Sequence, residues 1–283
     1  KKCVIPDTIE GWSDAVGVLV ASYFDQDELF PEYVGKSVNF DYSEIRPAGA
    51  FLNSSGGKAP GPEPLKNALS SIRKILDKAL KNLEFCDKSI RNLAPIQAYD
   101  IVMHSADAVI SGGVRRSATI CLFSADDEEM AKAKTGSWFV ENPQRGRSNN
   151  SALLLRDETT AEQFSELMKS VQEFGEPGFV WSDSTELIVN PCVEIGMWPV
   201  DETTGESGWQ ACNLSTINCA KIKTEEDFLE ACKAASIIGS LQAGFAKFPY
   251  LGKASENIVS REALLGVSMT GIMEKHEICL NPD

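Results

Sequence analysis

The chain has 283 residues, 43% apolar and 24% charged, with a formal charge of −14. This is the composition of a globular protein with ample material for a core, and the acidic balance argues against a general binder of nucleic acid or anionic membrane, because it repels phosphates. Apolar stretches break well before the roughly 18 residues a membrane span needs, and no basic segment followed by an apolar one opens the chain as a signal peptide. No membrane partner is expected, and the expected location is cytoplasmic. The first residue is Lys, not Met, so the chain is read as processed or partial. Its 8 cysteines include no C-x-x-C pair, so no structural zinc site is expected and the thiols should be reduced.

In chain order, Ile9, Trp12, Val16, Leu19 and Tyr23 make a helical apolar stripe over Thr8 to Phe24. Val38 to Tyr42 alternates like a short strand. Asn53 to Pro64 is rich in Gly, Ser and Pro and reads as a loop. Leu65, Leu69, Ile72, Leu76 and Leu83 predict a helix starting after Pro64. Another spans Ile96 to Ile110, closed by Gly112 and Gly113. Ser117 to Phe123, Asn150 to Leu155 and Phe179 to Trp181 read as buried strands. Phe164, Leu167, Val171 and Phe174 form a helical face stopped by Gly175. After Thr224, a long helix is expected to place Phe228, Ala231, Ala235, Ile238, Leu241 and Phe245 on one side. Strands alternating with helices give an α/β class with largely parallel strands.

The densest polar cluster is NPCVEI, Asn190 to Ile195. In an extended segment Asn190, Cys192 and Glu194 project to one side. Pro191 cannot donate to a ladder, so a loop or strand end is favoured over a central strand. A nucleophilic cysteine needs a cation or a histidine nearby, whereas Glu194 raises a neighbouring thiol pKa. His104 and His276 lie in unrelated contexts. A neutral thiol beside a carboxylate suits hydrogen-atom chemistry or dithiol redox better than proteolysis. On residues alone, Cys192 as a buried filler and Glu194 as a solvated residue remains the competing reading.

Several stretches, in order, resemble ribonucleotide reductase large chains, in particular the adenosylcobalamin-dependent class. They are VIPDTIEGW (Val4 to Trp12), EIRPAGA (Glu44 to Ala50), SSGGKAPGPEPL (Ser54 to Leu65), SGGVRRSA (Ser111 to Ala118), RSNNSA (Arg147 to Ala152), GEPGF (Gly175 to Phe179), NPCVEI, ACNLSTIN (Ala211 to Asn218) and LLGVSMTGIM (Leu264 to Met273). The resemblance implies part of a ten-stranded α/β barrel with a central finger loop. It implies Cys192 as the thiyl radical that takes the 3′ hydrogen, Glu194 as general base and Asn190 as a hydrogen-bonding partner of the sugar. Cys212 would be one of the two thiols that reduce the substrate.

Gly112, Gly113, Arg115 and Arg116 would belong to a specificity loop facing the base, with Arg46 at the substrate mouth or simply an ion-pair partner. Gly56, Gly57 and Lys58 would approach effector phosphates, or form an ordinary surface turn. Asn149 and Asn150 also recur in the family, without an assigned role.

The implied cofactor is adenosylcobalamin, and no metal ligands are named. The implied partners are a ribonucleoside triphosphate, a deoxynucleotide effector and an external dithiol such as thioredoxin. The family's chains are much longer, so residues 1–283 are expected to be one partial barrel domain, with specificity loops in 1–124 and the finger loop and reducing cysteine in 125–283. Flanking segments are expected to be absent, and the isolated chain inactive without complementing fragments. Neither Cys3 nor Cys121 matches the second reducing cysteine. The competing readings are a class I diphosphate reductase segment with a separate radical subunit, and a non-catalytic nucleotide-binding remnant.

Overall fold

A computed structural model describes residues 1–52, 57–80, 92–111, 115–186 and 188–281. The chain forms two compact units, Lys1–Gly196 and Met197–Asp283. That division falls elsewhere than the functional one drawn at 124/125.

The first unit opens with a parallel pair, β1 (Lys2–Val4) and β2 (Asn39–Asp41), in the register Cys3↔Phe40. Between them runs α1 (Ile9–Ala21), whose first turn is capped by Thr8: its Oγ1 accepts from Gly11 N at 2.9 Å. The row facing inward is Gly11, Ala15, Val18 and Leu19. Trp12, Val16 and Tyr23 are only half-buried at its margin, and Ile9 is exposed. The expected stripe is therefore rotated toward smaller residues, which let the helix sit closer to its neighbours.

Helix α2 (Glu63–Leu80) buries Leu65, Leu69, Ile72 and Leu76 as the period predicts. It begins just before Pro64, because a first-turn proline has no N–H to lose. Leu83 lies outside the described residues. Next comes α3 (Pro95–Ala108), which ends short of Ile110. An antiparallel ribbon follows, β3 (Ile110–Ser111) with β4 (Arg115–Arg116).

The main sheet of this unit is β5 (Thr119–Ser124), β6 (Ser148–Leu155) and β7 (Gly178–Ser182), all parallel with β6 central. Two short helices, α4 (Glu128–Ala131) and α5 (Trp138–Glu141), connect β5 to β6. The β6–β7 crossover is α6 (Ala161–Phe174), bounded by a Thr160–Gln163 capping box and by Gly175 at φ +73°. Phe123, Ala152 and Leu154 of the sheet pack with Met103 of α3 and Leu167 of α6. Of the three strands expected to be buried, only β6 is. β5 is half-buried except at Phe123, and Phe179 and Trp181 of β7 stay partly exposed as an edge. Strands β8 (Ile188–Val189) and β9 (Gly196–Met197) flank the NPCVEI segment.

The second unit is a βαβ crossover. β10 (Cys212–Asn218) leads to α7 (Glu225–Ala243) and α8 (Gly252–Glu262), then to β11 (Leu264–Thr270), which runs parallel to β10 from Cys212↔Leu264 to Asn218↔Thr270. A short α9 (His276–Cys279) ends it. Thr224 caps α7, but the helix buries Ala235, Gly239 and Ala243 and leaves Ile238 and Leu241 exposed. Phe245 lies beyond its end. A Cβ on Gly239 would fall 2.0 Å from Leu265 Cδ1, so the small row is what lets α7 approach β11. Phe228, Ala231 and Ala235 pack into the core as expected, whereas Ile238, Leu241 and Phe245 are exposed. Among the described residues no helix is long and apolar enough to cross a membrane.

Candidate active site

NPCVEI is a clamped turn, not an extended strand. Asn and Pro occupy its first and second positions, where turns favour them. Val193 N–H donates to Asn190 O at 2.9 Å, and Asn190 N–H donates to Ile195 O at 3.3 Å. Asn190 Oδ1 accepts from Ile195 N at 3.0 Å. Val193 sits at φ +68°, a left-handed conformation that β-branched residues avoid. The alternation argument therefore fails here, because the chain reverses within the segment. Asn190 is buried and its carbonyl end is used to hold the loop, while Cys192 and Glu194 are exposed.

The loop rests on β6. Asn149 Nδ2 donates to Pro191 O at 2.7 Å, across 42 positions of sequence. The start of β6 is itself fixed by polar contacts. Asn150 Oδ1 accepts from Tyr99 OH at 3.0 Å and from Ser148 Oγ at 2.9 Å. The buried Lys134 donates to Ser148 O and pairs with Glu176 at 3.0 Å. Just before the strand, Arg145 grips Asp100 through two bonds, Nε to Oδ1 at 2.8 Å and Nη2 to Oδ2 at 2.7 Å. Burial by itself lowers the Arg145 pKa, but Asp100 outweighs it and the net shift is upward. Burial pushes the Tyr99 phenol up to about 12, against its hydrogen bonds to Asn150 and Ser148.

Arg46 forms an ion pair with Asp7. Gly57 and Lys58 lie on one arm of a small hairpin in which Leu52 N–H donates to Gly57 O at 2.8 Å and Phe51 bridges Lys58; Lys58 is exposed. Gly56, Gly112 and Gly113 lie outside the described residues, and Arg115 and Arg116 form β4. Cys212 opens β10 in the second unit and is half-buried. A cavity of about 440 Å³ lies at the carboxyl ends of β5 and β6, lined in part by Leu122, Ser124, Leu153, Leu155 and Ile188. Residues 190–195 do not line it. No group among the described residues could hold a metal ion.

Residues 2–76 match the family model described as the insertion domain of B12-dependent ribonucleotide reductase. The adenosylcobalamin-dependent ribonucleoside-triphosphate reductase of Lactobacillus delbrueckii subsp. bulgaricus is 27% identical over 95% of this chain and 35% of its own length. The Lactobacillus gasseri enzyme of the same name is 30% identical over 95% and 35%, and that of Euglena gracilis 28% over 96% and 35%. A crystal structure of a B12-dependent (class II) ribonucleotide reductase superposes with a TM-score of 0.66 at 25% identity, over 96% of this chain and 36% of that one. The chain is similar to the B12-dependent, class II ribonucleotide reductases. It spans about 35% of the length of the curated relatives it matches.

The parallel sheets of both units fit part of a class II α/β barrel. The insertion-domain match over β1, α1, β2 and most of α2 was not singled out by the motifs, which assigned this stretch only to a specificity-loop region. In the class II frame Cys3 and Cys121 look like packing residues. Burial raises both thiol pKa values, with nearby carboxylates adding to it. Cys219, Cys232 and Cys279 share one core cluster of the second unit. Asn149 is the functional-site contact that the sequence left without a role; its only signal was the recurrence of RSNNSA.

Proposed function

We propose that this chain carries the radical-bearing loop and one reducing thiol of a ribonucleotide reductase that makes 2′-deoxyribonucleotides from ribonucleoside triphosphates. The observation that carries the reading is the NPCVEI turn, which holds an exposed thiol and an exposed carboxylate two residues apart on a multiply hydrogen-bonded loop. A preformed loop of this kind limits the reorganisation needed when a sugar docks. The names of the relatives supply the triphosphate level and the adenosylcobalamin dependence.

In this reading the Cys192 thiyl takes the 3′ hydrogen, so an S–H bond forms as the C3′–H bond breaks. Glu194 accepts the proton of the 3′ hydroxyl, and the 2′ hydroxyl leaves as water. Asn190, with Oδ1 committed to Ile195 N–H, has Nδ2 left to donate toward the sugar. Cys212 and a second thiol supply two electrons and two protons, one proton to the leaving water and one to C2′, and end as a disulfide, which an external dithiol such as thioredoxin reduces. Glu194 returns its proton to the 3′ oxygen and Cys192 its hydrogen to C3′, which restores the thiyl. Adenosylcobalamin supplies the radical equivalent when bound. Of the described residues, Cys192 would be the one that receives the radical. The β3–β4 ribbon with Arg115 and Arg116, together with Arg46, would face the substrate base and mouth. Gly57 and Lys58 would approach a deoxynucleotide effector. Further reductase segments would complete the barrel, in the cytoplasm.

The test is deoxynucleotide formation by this chain assembled with the remaining family segments, adenosylcobalamin, a dithiol and a ribonucleoside triphosphate. Product that disappears with Cys192→Ser and without cobalamin is the expected result. Product that persists in Cys192→Ser would overturn it.

A further inference from the structure

We infer that Asn149 is a positioning residue: its carboxamide holds the Pro191–Cys192 peptide in the orientation that aims the Cys192 thiol. The consequence for turnover rests on the function proposed above; the restraint itself does not. Asn149 is exposed, yet its Nδ2 donates to Pro191 O at 2.7 Å, the carbonyl immediately before Cys192. That carbonyl takes no part in the turn's own bonds, which run between Asn190, Val193 and Ile195. The loop's internal bonds fix its shape, and the Asn149 bond ties that shape to the sheet.

The strand at the other end of the bond is well suited to the task. β6 pairs with β5 at Ile120↔Asn149, and two residues further on it gains β7 as a second neighbour, from Ser151↔Gly178. Asn149 and Asn150 project to opposite faces of the strand. Asn150 is buried and tied to Tyr99 of α3, and Ser148 is tied to Lys134. Asn149 is thus an exposed donor on a strand whose flanking residues, Ser148 and Asn150, are held by buried polar contacts. A carboxamide is the right group, because it donates without bringing charge beside a radical-bearing thiol. Val193 adds a reason for a restraint: its left-handed backbone is intrinsically unfavourable and persists only where neighbours over-determine it. Releasing Pro191 O removes one of those determinants next to the reactive residue.

The experiment is amide hydrogen exchange of Asn190, Val193 and Ile195 in this chain, comparing wild type with Asn149→Ala and with Asn149→Asp, which keeps the size and loses the donor. Loss of one hydrogen bond should speed exchange at these three amides about five-fold in both variants, with no change along β10 and β11 and a melting temperature lowered by no more than about 4 °C. Exchange unchanged in Asn149→Asp would overturn the proposal, and so would acceleration spread evenly through β5 and β6, which would mean a purely structural role. In the assembled reductase, the same variants should lower kcat about ten-fold with KM for the triphosphate unchanged. An enzyme with normal exchange and normal kcat in both variants refutes the positioning role. Fast exchange in a system that makes no deoxynucleotide even as wild type leaves the restraint standing and counts against the function proposed above.

Discussion

β6 and β11 have similar compositions and opposite environments. SNNSALLL is 8 residues and LLGVSMT is 7; each is a parallel strand in a helical-crossover unit. β6 hydrogen-bonds to β5 and β7 and lays Ala152 and Leu154 against α3 and α6, so most of it is buried. Among the described residues, β11 pairs with β10 alone and meets α7 through a row of small residues, and Val267 and Met269 stay partly exposed. Burial here is set by the number of neighbours a strand recruits, not by its own apolar content. The anchored strand is also the one that carries the polar contact to the candidate radical loop.

The largest expected effect tests that contrast directly. Leu154→Ala removes a fully buried side chain and should cost about 3 kcal/mol. Val267→Ala, at 40% exposure, should cost less than about 0.5 kcal/mol. Urea unfolding followed by circular dichroism reads both. Equal losses would show that β11 is as deeply supported as β6.

Much of this was legible in the sequence, and the failures share a cause. Thr8, Thr224 and Gly175 marked helix ends correctly, because caps and αL stops are local chemistry. The Leu65, Leu69, Ile72 and Leu76 row also held, since bulky aliphatics at that spacing have one sensible face. The inward face of α7 was read correctly at Phe228, Ala231 and Ala235 and misread at Ile238 and Leu241, because periodicity weights bulk, whereas close packing on β11 selects Gly239. Pro191 marked NPCVEI as a loop or strand end, but the chain reversal inside it hid behind Val193, a residue type that does not advertise positive φ. Asn149 was invisible as a contact because its partner lies 42 residues away, and no local pattern encodes that pairing.

Two helix ends sharpen the comparison further. α6 stops at Gly175 with φ +73° and open space where a Cβ would be, so Gly175→Ala should cost about 1 kcal/mol through backbone strain alone. α8 stops at Ala263, which adopts φ +44° with a Cβ in place. Ala263→Gly relieves that strain while loosening the unfolded chain, and a gain of a few tenths, up to about 1 kcal/mol, is the expected balance. Opposite signs for the two substitutions in thermal melts confirm that the units differ in how well their helix stops are chosen. A loss in Ala263→Gly would mean that the αL alanine is held by packing rather than strained.

The smallest effect concerns His104 of the first unit. His104 lies half-buried on α3, and burial lowers its pKa below the ordinary value near 6.5, outweighing the opposing influence of Asp100 and Asp107; Lys74 adds a little to the lowering. A folded-state value below the unfolded one means that the unfolded chain takes up the proton first as pH falls. The first unit therefore loses stability on acidification from about 6.5 down through the lower folded value, and holds His104's full contribution above it. His104→Gln should flatten that slope. NMR titration of the His104 imidazole gives the direct check. A midpoint at or above 6.5 would place the acid sensitivity in the carboxylates around α3 instead, and would remove burial as the feature that sets this histidine apart.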